Sequence, residues 1–217
     1  MNAIKRVLVM TAVAAERDAL LRGLRGDSRF EVALAGVGPA AAAANTAALL
    51  AAAPYDLVVS AGIAGGFAGQ AAVGELVVAS DIVAADLGAE TAEGFSSVDE
   101  LGFGSARVTV DGPLARRLAD ALSQAGLPVR SGSVLTVSTV TGTAESAARL
   151  AARVPNAAAE AMEGFGVATA AALHGLPALE IRAVSNAVGP RDRSSWKIRE
   201  ALELLEAAGP ILVEVLG

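Results

Sequence analysis

The sequence predicts an α/β domain in which helices cover both faces of a largely parallel β-sheet. Short β-branched runs alternate with alanine-rich helical stretches along the chain, the pattern of that layered architecture. The 217 residues suit one domain with a sizeable core, and no Pro/Ser-rich tract offers a linker. The chain has no cysteine and one histidine, so neither a disulfide framework nor a Cys/His metal centre is expected.

The elements follow in order. Strands are expected at Arg6–Met10, Glu31–Ala35, Leu57–Ser60, Leu76–Ser80, Arg107–Val110, Ser133–Val137 and Ala178–Ser185, where apolar and β-branched residues cluster between turn-forming ones. Helices are expected at Ala15–Leu24, Ala40–Ala53, Leu114–Gln124, Ala144–Arg153, Met162–His174 and Trp196–Leu216. Thr143 places a hydroxyl at the N-cap of its helix, and His174-Gly175 followed by Pro177 reads as a helix end. Asp86–Gly104 is glycine- and acid-rich and lacks periodicity, so it reads as a long binding loop carrying Phe95 and Phe103.

Charge and hydropathy exclude several classes. The net charge is −6 and the basic residues are scattered, which leaves no electrostatic footprint for nucleic acid. Lys5-Arg6 before Val7–Ala15 imitates a secretory leader but reads better as a buried first strand. The uncharged stretch Ala33–Tyr55 holds Gly36, Gly38, Pro39, Asn45 and Pro54, so strand, turn and packed helix fit it better than a membrane span. A cytoplasmic enzyme without metal or cofactor, with neither nucleic acid nor membrane as partner, is the expectation.

Four motifs in order, Ser60-Ala61-Gly62-Ile63-Ala64-Gly65-Gly66, Val73-Gly74-Glu75-Leu76-Val77-Val78, Ala161-Met162-Glu163-Gly164 and Arg182-Ala183-Val184-Ser185-Asn186, resemble the nucleoside phosphorylase and nucleosidase superfamily. The resemblance runs from about Val7 to the final helix. Within it, Asp86-Leu87-Gly88-Ala89-Glu90, Gly94-Phe95, Asp99-Glu100-Leu101-Gly102 and Arg191-Asp192-Arg193-Ser194-Ser195-Trp196 look like the futalosine hydrolase family. The resemblance implies one three-layer α/β/α domain over residues 1–217 with a central mixed sheet. It also implies hydrolysis of the N-glycosidic bond of futalosine to dehypoxanthinyl futalosine and hypoxanthine, in an alternative menaquinone route. A homo-oligomer, dimer or dimer of dimers, is implied as well, with a partner loop near the pocket.

Such chemistry needs ribose held rigidly, the leaving base accommodated and a water aimed at the anomeric carbon. By resemblance Glu163 accepts from the ribose hydroxyls, as an ionised carboxylate with room for two donors can. Glu16 matches the glutamate that contacts the attacking water, and burial beneath a nucleoside would raise its pKa toward general-base range. Asn186 stands where adenine-releasing nucleosidases place an aspartate; its amide can donate to a 6-oxo group and accept from N7–H, which favours hypoxanthine. Met162, Ile63, Ala64 and Gly65 belong to the matched motifs and are expected at the substrate. Ser138, Thr139, Val140 and Thr141 match a segment lining the base pocket. Phe95 is expected to offer apolar surface, as is Phe103, and Arg191 or Arg193 a cationic anchor, for the carboxylated tail. Asp192 is a candidate proton donor to the base, a point the sequence leaves open.

The bland alternatives are a first-turn helix acid for Glu16, a macrodipole partner for Glu163 and a turn residue for Asn186. Ile63 occupies the hydroxyl position of the glycine loop and no arginine lies between Arg29 and Arg107, which favours water over phosphate as nucleophile, although Arg17 or a partner subunit could supply charge. Other readings are a methylthioadenosine/S-adenosylhomocysteine-type nucleosidase, a purine nucleoside phosphorylase, or a non-catalytic nucleoside binder. Gly36-Val37-Gly38-Pro39-Ala40-Ala41 also meets a dinucleotide-loop pattern with Asp56 downstream, but Asp56 opens its strand instead of closing it. His174 at a helix terminus reads as a cap.

Overall fold

The computed structural model describes residues 4–217. Its elements are β1 (Val7–Thr11), α1 (Ala14–Leu24), β2 (Phe30–Leu34), α2 (Pro39–Ala52), β3 (Leu57–Gly66), β4 (Leu76–Ala84), β5 (Gly88–Thr91) and β6 (Gly94–Ser97). There follow β7 (Arg107–Thr109), α3 (Gly112–Gln124), β8 (Val129–Thr136), α4 (Ala144–Arg153), β9 (Ala157–Ala161), α5 (Gly164–Leu173), β10 (Ala178–Ala187), a 3₁₀ turn (Arg193–Ser195) and α6 (Ile198–Leu216).

The central sheet is mixed, as expected. β1 pairs in parallel with β2 and β3, β10 runs parallel to β3 and antiparallel to β4, and β8 runs parallel to β4 and β9. Because β9 also pairs antiparallel with the end of β3, the strands β3, β10, β4, β8 and β9 close on themselves. β1 and β2 extend the sheet from β3, and β7 adds to β4. α1, α3 and α6 pack together on one face, and α2 and α5 against each other on the opposite face.

One hydrophobic cluster runs through most of these elements, from Val7–Met10 on β1 to Leu205, Leu212 and Leu216 on α6. Full burial of each such Val or Leu contributes about 1.5–3 kcal/mol, and every residue of β1 is buried, which makes Val7–Thr11 an inner strand. Likewise, the uncharged Ala33–Tyr55 stretch divides into the end of β2, a turn and α2. No helix among the described residues is long and apolar enough to cross a membrane.

The structure corrects four expectations. Gly62–Gly66 is not a loop but the second half of β3. Ala157–Ala161 is a strand, although its alanines carry no β preference, because it sits between β8 and β3 and its residues are buried by that pairing. The long segment after β4 contains the β5–β6 hairpin, so it is not structureless. Helices α5 and α6 begin two residues later than expected, at Gly164 and Ile198.

Candidate active site

A cavity of about 340 Å³ opens where the end of β1, the second half of β3, the end of β9 and the end of β10 meet. Glu16, Glu163 and Asn186, far apart in sequence, all line it, together with Ile63, Ala64, Gly65, Val140, Met162 and Arg191.

Glu16 stands in the first turn of α1, two residues beyond the helix start and only 3% exposed. Its Oε2 accepts from the backbone N–H groups of Ala12 (2.9 Å) and Val13 (3.2 Å), and its Oε1 from Ile63 N–H on β3 (2.9 Å). The carboxylate therefore caps its own helix and is fixed across to the neighbouring strand. Burial pushes its pKa above the usual glutamate value, while Arg182 and the Ile63 and Val13 amides pull the other way. Glycine at position 62 makes the approach possible: a Cβ there would lie 2.5 Å from Glu16 Oε1 and 2.7 Å from Arg182 Nη1.

Glu163 precedes α5 and is buried, yet makes no side-chain cap to that helix. Its carboxylate instead accepts from Gly38 N–H (3.2 Å) and Met162 N–H (3.3 Å) and faces Arg182 Nη1 at 3.5 Å. The Gly36–Gly38 turn thus spends an amide on Glu163, and Asp56 receives the Lys5 and Arg6 N–H groups at the start of the sheet. Neither is arranged for a dinucleotide.

Asn186 owes its direction to an irregularity in β10, where the register against β3 shifts between Val184 and Asn186. Such a bulge turns one side chain out of the strand's regular alternation. The Ser185 hydroxyl donates to Asn186 Oδ1 at 2.8 Å, and Asn186 Nδ2 donates to the Ala187 carbonyl at 3.0 Å. One N–H of the amide remains for another acceptor.

Four side chains of the cavity region receive no role from the sequence. Glu160, at the end of β9, accepts from the backbone N–H of Thr141 (2.8 Å) and from its hydroxyl, which pins the segment after β8 over the cavity. Arg182 lies buried behind the cavity; burial works against its charge, but Glu180, Glu163 and Glu16 outweigh that and hold it protonated. Ser185 orients Asn186, and Trp196 lines the mouth with the Arg191 guanidinium 5.2 Å from its ring centre. A sequence signal existed for Arg182, since Glu180 and Arg182 are charges two apart in the otherwise apolar stretch 178–184.

Other expected residues do not join this cavity in the chain. Phe95 belongs to the β5–β6 hairpin, with its ring packed at Gly88 and the Arg153 guanidinium 3.8 Å from the ring centre, so its apolar face is used elsewhere. Phe103 is 82% exposed. Ser138 gives its backbone N–H to Asp86 (2.6 Å) and lines a separate hollow beside α2 and α5; Thr139 is exposed and lines neither. Arg193 sits on the 3₁₀ turn over the outer side of Trp196, 5.8 Å from its centre. Asp192 caps that turn; the Ser194 hydroxyl and amide hold its carboxyl below the usual range, the wrong direction for a proton donor. Arg17 pairs with Asp18 instead of lining the cavity. No cluster of three or more His, Asp or Glu suited to a metal ion occurs among the described residues.

Against known proteins, the sequence pattern described as "Phosphorylase superfamily" matches residues 14–215. The futalosine hydrolase of Streptomyces coelicolor is 55% identical, over 97% of this chain and 96% of its own length. The chain belongs to the futalosine hydrolase family of the phosphorylase superfamily. A second member of that family, from Acidothermus cellulolyticus, is 46% identical over 94% of this chain and 88% of its own. The fold is that of a solved futalosine hydrolase mutant of Helicobacter pylori, with a TM-score of 0.83 over 97% of this chain and 99% of that one at 16% identity. In the structure, three of the four matched motifs, those holding Ile63, Met162 and Asn186, supply residues to the cavity from the ends of β3, β9 and β10.

Proposed function

We propose that the chain is a futalosine hydrolase acting as one catalytic domain: it cleaves the N-glycosidic bond of futalosine with water, giving dehypoxanthinyl futalosine and hypoxanthine. The observation that carries the reading is the convergence of Glu16, Glu163 and Asn186 on one cavity in a chain 55% identical to a futalosine hydrolase along nearly its whole length.

The roles follow from chemistry. Glu163 accepts from the ribose hydroxyls, and Met162 beside it supplies apolar contact. Asn186 gives its free N–H to the 6-oxo group, a pairing that a 6-amino group would not satisfy. Glu16 takes a proton from the attacking water as the oxygen bonds to the anomeric carbon; the glycosidic electron pair leaves with the base, which takes a proton from solvent while Glu16 returns its own to solvent, so the water is divided between the two products. Arg191 and Trp196, at the cavity mouth, meet the carboxylated aromatic tail.

Water suits this site better than phosphate. The Ile63 amide, a natural anion donor, is taken by Glu16, and the buried Arg182 is already surrounded by acids. A phosphate here would face three carboxylates, Glu16, Glu160 and Glu163, with Arg191 the one cation lining the cavity among the described residues. We further propose a cytoplasmic homo-oligomer acting in the futalosine route to menaquinone. The test is hypoxanthine release from futalosine and from inosine, each with and without phosphate: turnover of futalosine in phosphate-free buffer is expected. Phosphate dependence, or preference for a methylthioadenosine-type substrate, would refute the reading.

A further inference from the structure

Strand β10 carries two charges on one face of its otherwise apolar stretch 178–184, Glu180 and Arg182, exposed by 0% and 1%. A buried guanidinium cannot shed its proton and must be met on every edge. Its Nε donates to Glu180 Oε1 at 2.8 Å, and its Nη2 to the Ser60 hydroxyl at 3.0 Å. The remaining amino group, Nη1, faces Glu163 Oε2 at 3.5 Å, and both it and Glu16 Oε1 border the space that a side chain at Gly62 would fill, so Glu16 acts on Arg182 through its charge. The far edge of Arg182 is therefore clamped, and its near edge is presented towards Glu16 and Glu163, two of the acids that line the cavity.

Glu180 does not line that cavity. It packs under Gly164, the residue after Glu163, where any Cβ would overlap the Glu180 carboxylate. Its second oxygen, Oε2, has no hydrogen-bond partner. A buried acid that leaves one oxygen unpartnered is a poor way to fill a core, because an apolar side chain of that volume avoids the desolvation. What Glu180 does provide is a fixed acceptor for one edge of Arg182.

We propose that Glu180 is a positioning residue for the hydrolysis: by holding the Nε edge of Arg182 it sets the guanidinium between Glu16 and Glu163, and so the placement and charge of the carboxylates that meet water and ribose. The inference rests on the functional reading above and deepens it. The charged groups of the cluster are Glu16 from α1, Glu163 ahead of α5, and Glu180 and Arg182 from β10, with the Ser60 hydroxyl from β3. Three carboxylates surround one guanidinium, so removing the negative charge of Glu180 makes the net potential at Glu16 and Glu163 more positive. Burial pushes both Glu16 and Glu180 up, and Arg182 opposes this at each.

The test compares wild type, Glu180→Gln and Glu180→Leu in futalosine hydrolysis, reading kcat, KM and the pH profile of kcat/KM, with thermal melts as the folding control. Glu180→Leu frees one edge of Arg182, and a misplacement of this kind lowers kcat by about 10²-fold. Glu180→Gln keeps the acceptor for Nε, restores most of kcat, and moves the acid limb of the profile to lower pH. Should Glu180→Leu not fold, Glu180→Gln decides alone. A folded Glu180→Leu with wild-type kcat, an unmoved acid limb in Glu180→Gln, or failure of Glu180→Gln to fold would each overturn the proposal. A wild-type chain inactive on futalosine sinks the functional reading itself, a result distinct from active wild type with unaffected variants.

Discussion

Replacing Glu16 by glutamine separates chemistry from binding most cleanly. The carboxylate accepts three backbone N–H bonds, two at Oε2 and one at Oε1. Glutamine keeps most of them by leaving its oxygen on Ala12 and Val13, which sets its NH₂ against Ile63 N–H. One bond is lost and a buried donor is left unpaired, costing about 1–3 kcal/mol of stability. For a chain of this size each kcal/mol lowers Tm by roughly 2–4 °C, so the variant stays folded at assay temperature. Loss of the base lowers kcat by about 10²–10⁴-fold, whereas Glu163, Asn186 and the cavity walls are untouched. The assay is stopped-time hypoxanthine release, with calorimetric binding of futalosine to the variant alongside it. Wild-type kcat in a folded Glu16→Gln chain would refute the base role, and so would a loss of affinity as large as the loss of rate.

Other consequences can be measured together. Asn186→Asp removes the amide donor and places a carboxylate beside the Ser185 hydroxyl, so futalosine hydrolysis falls by roughly tenfold to a hundredfold relative to the 6-amino counterpart; an unchanged ratio between paired substrates counts against base recognition by Asn186. Arg191→Ala raises KM for futalosine by about tenfold, as loss of a charge-assisted bond implies, and leaves inosine unaffected; equal changes for both would remove Arg191 from tail recognition. Because Glu16 must be ionised to act and its value lies above the ordinary 4.5, kcat/KM falls on the acid side at a higher pH than a free glutamate would give. The same shift has a stability sign: the native state binds more protons than the unfolded chain, so this group's contribution declines as pH rises from 4.5 through the raised value. Urea melts of wild type and Glu16→Gln across that window should diverge accordingly, and parallel curves would contradict the shift.

The β-branched runs that announced β1, β2, β4, β8 and β10 are also the runs that fill the core, which is why the layered fold was legible. β9 was not, since Ala-Ala-Ala-Glu-Ala has neither alternation nor β-branching and becomes a strand only through its neighbours on both sides. The glycine motif was visible but its conformation was not: Gly62 reads as a loop residue until Glu16 and Arg182 are seen to occupy its missing side chain's space. Glu16, Glu163 and Asn186 could be picked out because they stand in ordered motifs. Phe95 does not line the cavity because a hairpin, unpredicted from an aperiodic segment, carries it to Arg153. Glu160 stands in no such motif, for its importance lies in its contact with Thr141 on the segment after β8, and Glu180 showed only as a charge two residues from Arg182.

The most direct measurement is a crystal structure of the wild-type chain grown with hypoxanthine and dehypoxanthinyl futalosine. The account predicts the base edge bearing the 6-oxo group against Asn186, the ribose hydroxyls on Glu163, and Glu16 on the face of the anomeric carbon opposite the base. Density for the base away from Asn186, or for the sugar beyond reach of both glutamates, would contradict it.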